Sequence, residues 1–227
     1  MKKNILLFYA TFLFIVTTNA QNKAFHNGIV TIDFGVGLSI YGNQIHKEYD
    51  TKMFNGTIVK SDQNNSDGAV ATVIPFTLEY GVTNWLGVGG RFAYSKYINN
   101  ADSTKSNTTP EVRGLDGSVF LNLHLIKSKR FDMPISFMIG YSNFKYDANN
   151  PNPIDNLIAT DNGLNYGISL IPRFYFGNHI GVFFNLGYMG YNYPSISISS
   201  NLNQLDYSKF SIKGDGGNIG VGLIIKI

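Results

Sequence analysis

The chain has 227 residues and no cysteine, which excludes disulfides, thiolate metal sites and a lipidated cysteine. Its formal charge of +3 falls to +1 if Lys2 and Lys3 are removed, which argues against a nucleic-acid partner, because that demands a basic face. Only 15% of residues are charged, while 14% are aromatic and 24 are glycine, a balance suited to a surface that meets lipid.

Residues 1–20 read as a secretory signal. Lys2 and Lys3 begin it, an apolar run from Ile5 to Val16 follows, and Thr18 and Ala20 place small residues before a cleavage point at Gln21. The apolar run is too short for a membrane-spanning helix, and no later run reaches that length, so any crossing must use strands. The domain expectation is a signal peptide over 1–20 and a single barrel domain over 21–227.

From Gly28 the residues alternate. Val30, Ile32, Phe34, Val36, Leu38 and Ile40 share one face, and Thr31, Asp33, Gly35, Gly37 and Ser39 the other, the period of a strand with one apolar side. The same alternation predicts strands over about 69–82, 86–98, 115–126, 131–146, 164–176 and 180–192, and a last one ending at Ile227. Short links (Thr83–Trp85, Lys127–Arg130, Gly177–His179) alternate with long ones (about 42–68, 99–114, 147–163 and 193–215), as in a membrane barrel with periplasmic turns and outward loops. The predicted fold class is all-β: an eight-stranded antiparallel up-and-down transmembrane β-barrel. Within the first long link, Asn55-Gly56 is a hairpin signal. Ile196 and Ile198, then Phe210 and Ile212, predict that the last two strands extend outward as a hairpin.

A soluble lipocalin-like calyx would alternate too, with its apolar face turned inward. Three features favour lipid outside. Glycines crowd the polar face, where a narrow eight-stranded lumen needs small residues. Aromatics on the apolar face gather at strand ends: Tyr94, Tyr141, Tyr166 and Tyr188 near the long loops, Tyr80, Phe131, Phe174 and Phe176 near the turns, as two interfacial girdles. The charges on that face, Lys96 and Lys145, lie beyond the upper girdle, where an ammonium reaches water.

This layout resembles the small eight-stranded outer-membrane barrel family typified by the enteric A and X outer-membrane proteins. The resemblance covers nearly the whole chain after residue 20 and rests on pattern, without a sequence motif. It implies an address in the outer membrane of a Gram-negative cell envelope, lipid as the surrounding partner and the barrel-assembly machinery as a partner during biogenesis. Many members end in an aromatic residue that this machinery reads; here the terminal alternation of Val221, Leu223 and Ile225 ends in Ile227.

No catalytic, cofactor or metal motif emerges. The four histidines (His26, His46, His124, His179) are dispersed without metal-ligand spacing. His124 and Asp132 face each other across a turn, read as a lumenal hydrogen-bonded pair rather than an acid–base device. Asp33, Glu79, Arg91, Asn122, Ser136, Arg173 and Asn185 each lie a few residues in from the periplasmic end, predicting one polar, charge-balanced layer that closes the lumen to ions. The expected function is that of a non-enzymatic, monomeric outer-membrane barrel, mostly plugged, with a structural or surface-interaction role through long loops that could hold an extracellular ligand. A narrow low-conductance pore is the alternative. A lipid-modifying barrel enzyme and a secreted soluble binder rank lower.

Overall fold

The computed structural model describes residues 24–52, 58–98, 111–147, 157–200 and 207–227. The signal segment and Asn55-Gly56 lie outside them. The elements are β1 (Val30–Lys52), β2 (Ile58–Gly81), β3 (Leu86–Ile98), β4 (Glu111–Lys127), β5 (Phe131–Asp147), β6 (Leu157–Leu170), β7 (Arg173–Tyr175), β8 (Ile180–Tyr193), β9 (Ser197–Ser200) and β10 (Tyr207–Lys226). All pairings are antiparallel. β6 and β7 both lie between β5 and β8 and form one stave, interrupted at Ile171-Pro172, where proline has no N–H for the ladder. Ile171 N–H donates to the Pro134 carbonyl at 3.0 Å, which carries the pairing past the break. β10 pairs with β1 from Thr31↔Lys226 upward and with β8 on its other side, so eight staves close into a ring. Closure removes the free sheet edges that an open sheet would present.

The faces divide by polarity as the alternation predicts. Phe34, Val36, Leu38 and Ile40 point outward and are 46% to 66% exposed, whereas Thr31, Asp33 and Ser39 on the same strand are buried. The same inversion runs around the ring, with Phe92, Val119, Ile139, Leu186 and Ile219 exposed and Asn122, Ser136, Asn165 and Asn218 buried. An aqueous calyx would show the opposite. An apolar exterior around a polar interior is stable only with hydrocarbon outside.

The girdle residues lie on this outer face: Tyr80, Tyr94, Tyr141, Tyr166, Phe174, Phe176 and Tyr188 are exposed and Phe131 is half-buried. Phe131 and Phe174 meet across the β5–β7 pair at 4.9 Å.

The outer ends differ from the expectation. Residues 42–52 and 58–68, read as loop, continue β1 and β2 in register to Lys52↔Ile58. Polar residues dominate this stretch, and alternation of apolarity fades once neither face meets lipid or core. The ladder persists because its backbone groups pair with each other. The predicted outward extension of the last two strands is present in part: beyond the Ile212↔Tyr193 pair, Ile196 N–H donates to the Phe210 carbonyl at 2.7 Å. β8 ends at Tyr193 before Pro194; Ser197–Ser200 pairs with β6, and the outer part of β10 pairs with β1 as far as Tyr207↔Tyr49. The raised structure is therefore built on β10, β1 and β2. On it, His46 bonds Asn64 Oδ1 at 2.8 Å and Glu48 Oε1 at 3.0 Å, contacts that lift its pKa above the ordinary histidine value.

Interior glycines set how tightly the lumen can fill. A Cβ at Gly89 would lie 2.1 Å from the Leu78 carbonyl oxygen and 2.4 Å from the Phe120 ring. Gly89→Val should therefore cost about 2 kcal/mol through overpacking and reduce the heat-modifiable folded band on a detergent gel. Unchanged mobility and stability would show that both the Leu78 backbone and the Phe120 ring have room to move.

Candidate functional site

The lumen is organised in tiers. At the turn end, the chain places Arg173 directly across from Asp132 in the β5–β7 pair. The guanidinium, 1% exposed, donates from Nη1 to Glu79 Oε2 at 2.7 Å and from Nη2 to Asp33 Oδ2 at 3.2 Å, with Asp132 Oδ2 at 3.7 Å. Thr31 donates to the same Glu79 oxygen at 3.2 Å. His124 lies between two of these carboxylates: its Nδ1 is 2.8 Å from Asp132 Oδ2 and its Nε2 2.7 Å from Glu79 Oε1. Both ring nitrogens face acceptors that have no proton to give, and only an imidazolium can donate to both. Two cations then oppose three carboxylates, and Lys226, held 4.8 Å over the Tyr175 ring, brings a third positive charge to this end.

Sequence reasoning did not anticipate the segment before β1. Ala24 N–H donates to the Ser128 carbonyl at 2.9 Å, and the chain turns back at Gly28, whose φ of +82° suits glycine. Between these points Phe25 enters the barrel from below. It is fully buried and stacks on the His124 ring, with centroids 3.3 Å apart and planes 6° from parallel. The available signal was a single large apolar residue in an otherwise polar stretch ahead of the first strand, beside a turn glycine.

The predicted single polar layer divides into two. Asp33, Glu79 and Arg173 join His124 and Asp132 in one network. Arg91, Asn122, Ser136 and Asn185 stand outside that network and line a small cavity of about 80 Å³ above it, whose floor includes Asp33 and Arg173. There the Arg91 Nη1 and Asn122 Oδ1 atoms are buried without hydrogen-bond partners among the described residues, and Asn185 bonds Asn218. Counting residues from the turns misjudged height because barrel strands are tilted and sheared, so equal counts on different staves do not reach equal levels. Thr77 does face Arg91 across β2–β3, but Glu79 lies two pairs lower, opposite Gly89, and turns to Arg173.

Above the cavity, Asp116 accepts hydrogen bonds from Ser142 Oγ at 2.5 Å and Tyr191 Oη at 3.0 Å, and the Tyr193 hydroxyl lies 2.7 Å from Ser142 Oγ. Tyrosine and phenylalanine rings rise from this floor to surround an outer cavity of about 330 Å³.

No protein-family model and no curated protein matches the sequence. Among solved structures, the outer membrane protein OprG from Pseudomonas aeruginosa superposes with a TM-score of 0.59 at 14% identity, over 89% of this chain and 97% of that one. AlkL, an outer membrane protein solved in DMPC lipid bilayers, gives 0.50 at 14% identity, over 93% and 95%. The outer membrane protease OmpT from Escherichia coli gives 0.47 at 12% identity, over 88% and 97%. The property shared with OprG and AlkL is the fold: this chain is an eight-stranded antiparallel β-barrel with an apolar exterior, similar to those of these outer membrane proteins.

Proposed function

We propose that this barrel is a closed, non-enzymatic anchor that carries a raised β-structure at the cell surface, exported behind a signal cleaved near Gln21. The carrying observation is the Arg173 network with Phe25 stacked beneath it. The charged groups pair closely across the lumen, with Asp33 Oδ1 and Arg173 Nε left without partners among the described residues, and an aromatic side chain covers the network from the periplasmic side. The polar outer parts of β1, β2 and β10 supply the surface through which a partner would be met. The carboxylate–histidine contact supports no enzyme reading, since both ring nitrogens of His124 are occupied by carboxylates and its side chain is sealed from solvent. Assembly by the barrel-assembly machinery and a monomeric state complete the reading.

A narrow pore is the second reading, favoured by the mid-lumen cavity with its unpartnered Arg91 and Asn122 atoms, which water would satisfy. Planar-bilayer recording on the folded protein separates the two. The closed reading expects no steady single-channel steps; reproducible steps would establish the pore.

A further inference from the structure

We propose that the outer cavity of the lumen binds a small organic cation of the quaternary-ammonium kind. Rings of Tyr41, Tyr97, Phe144, Tyr191 and Tyr193 form its lower wall. They do not lie in one plane. Tyr41 and Tyr191 meet at 84° with centroids 5.4 Å apart, and Tyr97 and Phe144 at 76° and 6.4 Å. Rings set in this way turn several faces and edges toward one space. Aromatic faces carry the negative part of the ring quadrupole, and a cage of them attracts a cation whose charge is spread over methyl groups.

The floor strengthens this preference. Tyr191 donates its hydroxyl to the buried Asp116 carboxylate, and Tyr193 reaches the same carboxylate through Ser142. A phenol that donates to a carboxylate becomes richer in electron density, so its ring holds a cation more strongly. Arg91 lies deeper, along the mid-lumen cavity, and makes no ion pair with Asp116 among the described residues. Arg91 still acts through space on Asp116, Tyr41 and Tyr191, while of the two charges it is the carboxylate that is hydrogen-bonded to the cage wall. At the rim the protein already sets a cation over a ring, with Lys47 Nζ 5.6 Å from the Phe210 centroid.

Other ligand classes fit less well. An anion would meet the ring faces and the Asp67 carboxylate, which lines the cavity with Lys47. A compact, strongly hydrated cation would lose its water without a shell of oxygen ligands in return. A neutral apolar molecule would fill the space but gain nothing from Asp116. The ligand is a free solute, because the strand wall separates the cavity from lipid. The inference rests on the closed-lumen reading only in that the cation is held and does not pass.

The test is calorimetric titration of the purified barrel in octyl glucoside with choline and with its neutral isostere 3,3-dimethylbutan-1-ol. Choline should bind about tenfold or more tightly than the isostere. Phe144→Leu and Tyr97→Leu should each weaken choline about fivefold, and Asp116→Asn should weaken it while leaving the isostere unaffected. Heat-modifiable gel mobility establishes that each variant is folded. Equal binding of the two probes, no choline binding by the folded protein, choline binding indifferent to both leucine variants, or binding only of phosphatidylcholine in mixed micelles would each overturn the proposal. Choline binding by a barrel that conducts would sink the closed lumen and keep the cage. A silent barrel that ignores choline would do the reverse.

Discussion

Arg173→Ala is expected to lower the stability of the folded barrel by about 3–5 kcal/mol, measured by reversible urea unfolding in vesicles or micelles, because it leaves three buried carboxylates with His124 as the one cation in contact with them among the described residues. Arg173 contacts Glu79, Asp33 and Asp132, and each of these side chains is at most 6% exposed. The alanine variant cannot repair the loss from solvent unless water enters. Two further measurements distinguish the causes. Arg173→Met keeps most of the volume, so a similar loss in that variant assigns the effect to charge rather than to a void. Combining Arg173→Met with Glu79→Gln should recover part of the loss, since coupled residues are non-additive. A fall in stability without conductance marks the network as a plug. New conductance from a stable barrel would mark it as a gate. If neither changes, the network does not bear on the fold and the closed-lumen reading loses its main support.

Phe25→Ala is expected to open the lower end of the lumen and to cost about 3 kcal/mol, as large-to-small changes at fully buried aromatic positions do. The stability loss alone would be ambiguous. The chain contains no cysteine, so a single reporter thiol is clean. Thr31→Cys, at the buried lower level beside Glu79, should resist a membrane-impermeant maleimide in the parent and react once Phe25 is alanine. Labelling at equal rates in both backgrounds would show that Phe25 does not cover the lumen. Phe25→Leu, which keeps an apolar cork but removes the ring stacked on His124, should retain most of the protection.

Period-two alternation is legible without coordinates wherever one face must meet hydrocarbon and the other must not. Val30 to Ile40 could satisfy both demands in only one register, because a slip of one residue would turn every side chain to the wrong face. The strand count, the tight turns and the exterior position of Tyr94 or Phe176 follow from the same constraint. The outer parts of β1 and β2 were not legible, because Gln63, Asn64, Asn65 and Ser66 meet water on both faces and leave no apolar period to read. The site was legible in its parts list and not in its assembly. Asp33, Glu79, Arg173, His124 and Asp132 could each be placed in the lumen from the alternation. Which of them touch depends on barrel shear, a property of ring closure that no single strand encodes. Phe25 depends on more still: it lies outside any periodic segment, and only the closed barrel provides the His124 ring and the buried space that give a lone aromatic residue somewhere to go.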